Sequence, residues 1–295
     1  MLFPMMDYVY QTVPTLEAWI DGAIVSANAP ALPLLDQAYL SGMGVFETIR
    51  VDAGVPLFFD AHHARLVDAA DIFHLSVPGV DTLRDAIRRL MSRQGWLSAR
   101  VRLTVSGSIP PNGKPLQLGG RARTTVLAFP LVKSRASAVR MITTPHRIDA
   151  AHPLAGRKCT SYAMHALAAH YARAHEGDEA MMLNQHDEVA GGAISNIFWV
   201  MNGRVFTPDT RCGCRPGVTR GRVMEACAAL GIACEATRAE PRAVLAAEEM
   251  FTTSSICGVR SVVSLDGTPY RAGPLAKRIR AALLREEKRA IQAGY

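Results

Sequence analysis

The chain has 295 residues, more than the roughly 100–200 residues of one domain, so we expect two domains. Hydrophobic residues make up 49% and charged residues 20%, as in globular proteins, and no apolar run reaches the roughly 18 residues of a membrane span. The net charge of +7 is spread along the chain, which favours an anionic small molecule over nucleic acid as the partner.

The first half of the chain predicts an α+β arrangement. Asp21-Gly22 is a strong turn signal and places a hairpin there. Asp60 is expected to cap the first long helix. The other elements are indicated by β-branched runs, apolar helical spacing and glycine stops: strands at 45–51, 100–106 and 124–129, and helices at 60–74 and 81–94.

The second half predicts an α/β domain. We therefore expect an N-terminal α+β domain over residues 1–131, a linker over 132–138 and a C-terminal domain over 139–295. The same signals predict strands at 139–144, 181–183, 196–201, 204–206 and 249–253, and helices at 161–175, 216–230 and 274–292.

The cysteines and the N-terminus indicate a reducing compartment. Six cysteines are scattered without the spacing of a disulfide framework, which favours the cytoplasm. Cys212 and Cys214 have no second pair at a spacing typical of zinc sites, so we expect plain thiols and no metal. Residues 1–10 have no basic segment followed by an apolar stretch, so we expect no signal peptide.

Lys158 is the candidate for covalent chemistry. The chain has five lysines, and the other four fall in a Pro-Asn-Gly loop, in the linker or in the terminal basic helix. Lys158 lies where the irregular run 152–157 gives way to a helical pattern. A desolvated lysine beside another cation, here Arg157, loses proton affinity and can form a Schiff base with an aldehyde. Taken alone, Lys158 is equally compatible with a solvated surface position.

A cradle for an anion is also predicted. Gly217-Val218-Thr219 at a helix start offers free amides, the positive end of the helix dipole and a hydroxyl. Ser254-Ser255 at a strand end adds hydroxyls and amides, and Arg65 adds a guanidinium that can bind phosphate through two hydrogen bonds. Each group taken singly also fits a plain structural role as a helix cap, a turn or a surface charge.

Six segments of the chain resemble the motifs of the fold-type IV enzymes that use pyridoxal 5'-phosphate (PLP), and they occur in the same order as in that family. That family includes branched-chain aminotransferases, D-amino acid aminotransferases and aminodeoxychorismate lyases. The resemblance runs from about residue 17 to 265 and implies two α/β domains with PLP between them, usually in a homodimer. The segments are GMGVFETIR (42–50), HHARL (62–66), KCTSY (158–162), ISNIFWV (194–200), PGVTR (216–220) and TTSS (252–255).

The resemblance also implies roles for individual residues. Lys158 would carry the Schiff base with PLP, and Tyr162 is similar to the tyrosine that bonds the phenolic oxygen of the cofactor. Gly191 and Asn196 fall in the motif beside the cofactor nitrogen. The residues implied at the phosphate are Arg65, Val218, Thr219, Ser254 and Ser255.

Three departures from the family pattern bear on the reaction. Gly191 stands where the family has the Glu that keeps the pyridine nitrogen protonated, so stabilising negative charge on the ring should be costlier. Ser41 and Met43 replace a Tyr and an Asp on the substrate side. The loop at 106–113, SGSIPPNG, differs from the Arg- and Gly-rich loop of aminodeoxychorismate lyases and therefore favours a transaminase.

These observations leave three hypotheses. The first is an aminotransferase acting on an amino acid and a 2-oxo acid, in which Lys158 moves the Cα proton and Arg50, Arg100 or Arg102 binds the substrate carboxylate. The second is a PLP lyase of the aminodeoxychorismate type, which releases pyruvate from an aromatic precursor. The third is a PLP-binding homologue with reduced turnover, which Gly191 alone supports.

Overall fold

The computed structural model describes residues 16–29, 31–107, 116–131 and 138–294. These residues form two units, the first from the described parts of Met1–Lys133, Lys158–Ser161 and Ala290–Tyr295, the second from those of Ser134–Arg157 and Tyr162–Arg289. The segment carrying Lys158 thus groups with the first unit. Residues 132–137 of the predicted linker and 108–113 of the 106–113 loop lie outside the described residues, so the predicted domain boundary stays a prediction.

The first unit is built on an antiparallel sheet of six strands within the described residues, in the order β2-β1-β6-β5-β3-β4. The predicted hairpin about Asp21-Gly22 joins its first two strands. In β5, residues 101, 103 and 105 are buried and residues 100, 102 and 104 are half-buried, as expected when one face packs on helices. The strands are β1 Glu17–Ile20, β2 Ala23–Ser26, β3 Gly44–Asp52, β4 Val55–Pro56, β5 Ala99–Gly107 and β6 Ala122–Pro130.

Helices cover one face of this sheet. A short α1, Gln37–Ser41, is capped by the Asp36 carboxylate. Helix α2, Phe59–Asp71, packs on β3, and α3, Val80–Gln94, packs on β1 and β6. The prediction that Asp60 caps α2 was wrong: Phe58 occupies the cap position in a left-handed conformation and Asp60 lies in the first turn. Its charge still suits the positive end of the helix dipole.

The second unit is built on a mixed sheet of nine strands within the described residues. Their order is β12-β11-β10-β13-β14-β7-β8-β9, with β15 on β14, and the β11/β12, β7/β14 and β7/β8 pairs are parallel. Sequence patterns had not predicted β9, β12, β14 or β15. The strands are β7 Ala138–Ile148, β8 Glu179–Asn184, β9 Val189–Gly192, β10 Asn196–Met201, β11 Arg204–Pro208, β12 Cys234–Thr237, β13 Glu249–Ser254, β14 Gly258–Leu265 and β15 Thr268–Pro269.

Both faces of the second sheet are buried, because helices pack on each. Helix α4, Ala163–Ala174, covers β7 and β8, and α5, Val218–Ala229, covers β12 and β13. The short α6, Pro241–Leu245, adds Val244 to the core of the other face, and α7, Pro274–Ala293, is the predicted basic terminal helix. A 3-10 helix, Thr210–Cys212, precedes α5. Among the described helices, none is both long and apolar enough to cross a membrane.

Candidate active site

Lys158 is positioned by pairing with the start of β3. The Phe46 amide donates to the Lys158 carbonyl oxygen at 2.8 Å, and the Thr160 amide donates to the Gly44 carbonyl oxygen at 2.8 Å. The half-buried Lys158 side chain directs its Nζ atom over the Phe46 ring, 4.0 Å from the ring centroid. Backbone hydrogen bonds therefore fix the main chain of Lys158, and a cation–π contact with Phe46 orients its side chain. A solvated surface lysine would have neither.

Of the three arginines predicted to bind a substrate carboxylate, one contacts the ring that Lys158 also contacts. The Arg102 guanidinium carbon is 3.3 Å from the centroid of the same Phe46 ring. Arg50 instead donates to the Asp52 carboxylate at 2.6 Å, and Arg100 lies over the Phe129 ring. Arg102 thus contacts the same ring as Lys158, whereas Arg50 and Arg100 contact other partners.

Arg65 forms a buried cluster with Glu47 and His62. Its Nε and Nη2 atoms each donate to a Glu47 carboxylate oxygen at 2.7 Å, and His62 Nδ1 lies 2.8 Å from the same carboxylate. Burial alone would raise the pKa of Glu47, but the His62 hydrogen bond and the Arg65 charge outweigh it and lower the pKa to about 2. Burial lowers the pKa of His62, and the charges of Arg65 and Lys158 act in the same direction. Glu47 is therefore a fixed anion beneath Arg65.

In the second unit, Tyr162 is held by Arg215 and Ala193. The Tyr162 hydroxyl donates to the Ala193 carbonyl oxygen at 3.2 Å and accepts from Arg215 Nη2 at 3.1 Å. Sequence reasoning had not singled out Arg215. Its only sequence signal is its place directly before the Pro-Gly that starts α5.

Gly191, the position of the missing Glu, adopts a backbone conformation that side-chain-bearing residues rarely take. It is buried in β9 with φ +149°. An added Cβ would meet only the Ser195 carbonyl oxygen, at 3.6 Å, so space is available but the conformation is unfavourable. The replacement of Glu by Gly191 thus comes with a backbone that suits glycine.

A buried carboxylate, Glu179, organises the turn that follows Gly191. It accepts from the Ser195 hydroxyl at 2.7 Å and from the amides of Ala180 and Ala193 at 2.9 and 3.1 Å. Burial raises the pKa of Glu179 although these donors oppose the rise. Sequence reasoning missed this residue, because a Glu opening a strand carries no pattern that distinguishes it from a surface residue.

Residues predicted to form an anion cradle lie at the start of α5. Thr219 is buried in its first turn, no described side chain caps the helix, and the first amides of a helix have no acceptor within it. Asn196 is buried beside this turn and donates to the Arg215 carbonyl oxygen at 2.8 Å, and a Cβ at Gly217 would overlap the Asn196 side-chain oxygen. The chain therefore approaches the helix start as closely as only glycine permits.

Hydroxyl groups from β13 lie in the same unit, because α5 packs on that strand. Thr253 Oγ1 is buried and has no hydrogen-bond partner among the described residues. Ser254 and Ser255 follow it and are half-buried, and the Ser254 hydroxyl accepts from the Cys257 amide at 3.2 Å. Free amides, hydroxyls and a helix N-terminus are the groups that bind a phosphate dianion, so this unit fits the phosphate of PLP.

Cys212 and Cys214 are buried thiols. Burial raises the pKa of Cys212 to about 11 and also raises that of Cys214. Within the described ranges no group of three or more His, Cys, Asp or Glu residues is arranged to hold a metal ion.

A lysine held over an aromatic ring in the first unit and an uncapped helix start in the second are features expected of a PLP-type enzyme. Residues 44–265 match the family described as amino-transferase class IV, and the chain belongs to that family. It is 27% identical over 282 residues to the branched-chain-amino-acid aminotransferase of Pseudomonas aeruginosa, covering 90% of each chain. It is 28% identical over 270 residues to the aminodeoxychorismate lyase of Bacillus subtilis, covering 85% of this chain and 87% of the relative.

The fold is also that of solved family members. The branched-chain aminotransferase of the thermophilic archaeon Thermoproteus uzoniensis, solved with norvaline, superposes with a TM-score of 0.85 at 27% identity, covering 93% of this chain and 97% of that one. A second solved branched-chain amino acid aminotransferase, complexed with N-(5'-phosphopyridoxyl)-L-glutamate, superposes with a TM-score of 0.83 at 27% identity, covering 94% of this chain and 95% of that one. The predicted family and fold type are therefore confirmed, and the cofactor of the family is PLP. The roles of individual residues stay predictions.

Proposed function

We propose that the protein is a PLP-dependent aminotransferase that moves an amino group between an amino acid and a 2-oxo acid. The observation that carries this proposal is the sharing of the Phe46 ring by Lys158 and Arg102. Lys158 Nζ lies 4.0 Å and the Arg102 guanidinium carbon 3.3 Å from the same ring centroid, so an amine and a group that can bind a carboxylate contact one ring. An amino acid and a 2-oxo acid both carry a carboxylate next to the reacting carbon, as this arrangement requires.

Each residue then has a defined task. When bound through Lys158, PLP supplies an electron-accepting ring that makes the Cα proton of the substrate acidic. The Lys158 amine takes that proton from Cα and later returns one. Arg102 orients the substrate carboxylate, and Arg65 supplies positive charge to the cofactor phosphate while Glu47 holds its side chain in place.

The second unit supplies the other contacts. Val218 and Thr219 at the start of α5 and the Ser254-Ser255 turn would hold the phosphate. Asn196 keeps the turn before α5 in position through the Arg215 carbonyl. With the cofactor bound, the Tyr162 hydroxyl would turn its proton from the Ala193 carbonyl oxygen to the phenolic oxygen, and Gly191 leaves the nitrogen side without a carboxylate. Of the relatives, those named branched-chain aminotransferases support an amino acid with an aliphatic side chain as substrate.

Absorbance spectroscopy in two steps tests the reaction. A single amino acid added to the PLP-loaded protein should convert the bound cofactor from its aldehyde-derived form to its amine form. A 2-oxo acid added afterwards should restore the first form and yield a new amino acid. Leucine, valine and isoleucine are the first donors to compare, with alanine and aspartate as references of different size and charge.

The same experiment separates the competing hypotheses. The similarity to an aminodeoxychorismate lyase supports a lyase as the alternative. A lyase would release pyruvate from its substrate, a precursor of an aromatic product, with no 2-oxo acid acceptor added. A homologue with reduced turnover would show the PLP spectrum but no conversion with any donor. Either result would overturn the aminotransferase proposal.

We also propose that the protein forms a homodimer through the region around α1. Five large apolar side chains of this region are exposed: Leu32, Leu34, Leu35, Tyr39 and Leu40. An exposed patch of this kind marks an interaction surface. Light scattering should show a dimer that Leu34→Glu weakens and that Leu97→Glu leaves intact, because Leu34 (76% exposed) belongs to the patch and Leu97 (73% exposed) does not. A monomer in the parent protein would exclude the dimer.

A further inference from the structure

Arg215 has no acidic partner among the described residues. Its Nη2 atom donates to the Tyr162 hydroxyl at 3.1 Å. Its Nε atom is buried and has no hydrogen-bond partner in the same part of the chain. Other arginines of the second unit pair with carboxylates, for example Arg204 with Glu235 and Arg211 with Asp209. Arg215 therefore differs from these two, and Arg260 of the same unit shares the buried Nε donor without a partner among the described residues.

The groups around Arg215 do not balance its charge. The N-terminus of α5 begins three residues later and adds the positive end of a helix dipole. Arg220 is buried on that helix and donates to the Thr207 hydroxyl and the Pro208 carbonyl oxygen. Cys214 is a buried thiol whose burial raises its pKa, so it is neutral. A half-buried cation in such surroundings is costly unless an anion joins it.

The backbone of Arg215 is fixed, so its position is built into the fold. Asn196 donates to its carbonyl oxygen at 2.8 Å, and the Gly217 amide donates to the same oxygen at 2.8 Å. The guanidinium carbon lies 5.5 Å from the centroid of the Tyr162 ring. The Tyr162 hydroxyl donates its proton to Ala193. Arg215 and Tyr162 thus present one preformed, positively charged corner.

We propose that Arg215, acting through the Tyr162 hydroxyl, stabilises negative charge on the phenolic oxygen of PLP. This inference rests on the proposed function, in which Tyr162 faces that oxygen. Arg215 acts through Tyr162, because its Nη2 atom donates to the Tyr162 hydroxyl at 3.1 Å and can keep doing so when that hydroxyl turns its proton from the Ala193 carbonyl oxygen to the phenolic oxygen.

The positive charge of Arg215 compensates for the missing carboxylate at Gly191. Electron density that enters the PLP ring can be stabilised at the ring nitrogen or at the oxygen substituent. Gly191 leaves the nitrogen end without a carboxylate, and Arg215 places a fixed positive charge at the other end. This chain therefore shifts the stabilisation of negative charge from the nitrogen to the oxygen of the cofactor.

The proton affinity of the Schiff base reports on this charge directly. A cation beside the phenolic oxygen favours its anionic form and disfavours a proton on the neighbouring Schiff-base nitrogen. An opposite or like charge within about 4–6 Å shifts a pKa by roughly one to three units. Arg215→Gln should therefore raise the pKa of the Schiff base by about one unit or more. Titration of the visible absorption of the PLP-loaded protein, without substrate, measures this shift.

Two further variants test whether the charge at position 215 causes the shift. Arg215→Lys keeps the positive charge and should titrate close to the parent protein. Arg204→Gln removes an exposed arginine of the same unit that is paired with Glu235, and should leave the titration unchanged. An Arg215→Gln curve that coincides with the parent would overturn the proposal. The same holds if the spectrum is unchanged while binding of substrate-like carboxylates weakens, because Arg215 would then hold the substrate.

Borohydride reduction and the titration together distinguish a failure of this inference from a failure of the proposed function. If borohydride reduction attaches the pyridoxyl group to Lys158 and the titration is unaltered in Arg215→Gln, the function stands and this inference fails. If no cofactor is attached to Lys158, the proposed function fails first.

Discussion

Lys158 and Phe46 are joined twice, by a backbone hydrogen bond of 2.8 Å and by the Nζ atom lying 4.0 Å from the ring centroid. The first contact fixes the main chain of Lys158 and the second directs its side chain. A reactive amine gains from both, because a nucleophile held near its attack geometry avoids part of the entropic cost of reaction.

Lys158→Ala should abolish covalent attachment of PLP. The parent protein, reduced with borohydride and digested, should carry the pyridoxyl group on the peptide that contains Lys158. Lys277→Ala is the matched control, because Lys277 is exposed on α7 and should have no effect. Attachment to any other lysine would remove Lys158 from the proposal.

Arg65→Ala should lower both cofactor affinity and protein stability. It removes a contact to phosphate, and hydrogen bonds to charged groups are worth about 1.5–3 kcal/mol each. It also leaves Glu47 buried without its partner, and breaking a buried pair costs roughly 3–5 kcal/mol. PLP titration and chemical unfolding of the cofactor-free protein measure the two effects separately.

The double variant Arg65→Ala with Glu47→Gln distinguishes these causes. With the buried charge removed, stability should largely return while cofactor affinity stays low. If affinity returned together with stability, Arg65 would act through the fold alone and not through the phosphate.

Glu47 should give the protein a defined loss of stability in acid. Its pKa is lowered from 4.5 to about 2, so the stabilisation is complete above the unfolded pKa and is lost as pH falls through the folded one. The difference in unfolding free energy between the parent and Glu47→Gln should be constant above about pH 4.5 and shrink towards pH 2. The shift corresponds to roughly 3 kcal/mol at most. Parallel curves for the two proteins would contradict this assignment.

Gly191→Glu should first cost stability, because φ at Gly191 is +149°. Residues in such regions cost of order 1–3 kcal/mol each. Gly191→Ala and Gly191→Gln should show a similar loss, which sets the baseline. The rate of Cα proton removal is then compared between the Glu and the Gln variants. A faster rate in the Glu variant would show that a carboxylate at this position keeps the cofactor nitrogen protonated. Equal rates in folded, PLP-loaded variants would show that the reaction does not depend on such a carboxylate.

Local sequence signals predicted the elements that local interactions determine. The hairpin at Asp21-Gly22 and the helix after Gly217 were found because turn and start residues act on their immediate neighbours. Strand β14 was missed, because the alternation in Gly258–Leu265 is interrupted by Arg260, Ser261 and Ser264 while neighbouring strands decide its burial. Pairing across the chain carries no local signature.

In the candidate site, too, local signals pointed to single residues but not to contacts between residues distant in sequence. Lys158 stood out by its place at a loop-to-helix junction and by resemblance to a motif. The pairing of Arg65 with Glu47 spans 18 residues and that of Arg215 with Tyr162 spans 53, and neither could be read from spacing. Among the three arginines on β3 and β5, only the structure brings Arg102 to the Phe46 ring.

The turn from Gly192 to Asn196 is ordered by the protein alone. Glu179 engages the Ser195 hydroxyl and the Ala193 amide from within the core, so these groups hold their positions before any ligand arrives. Ordering flexible groups on binding costs roughly 0.5–1.5 kcal/mol per side chain, and a template set by the fold avoids that cost. Glu179 thus fixes the backbone conformation of this turn. Directed evolution can therefore vary the exposed Ile194 side chain without loss of that conformation.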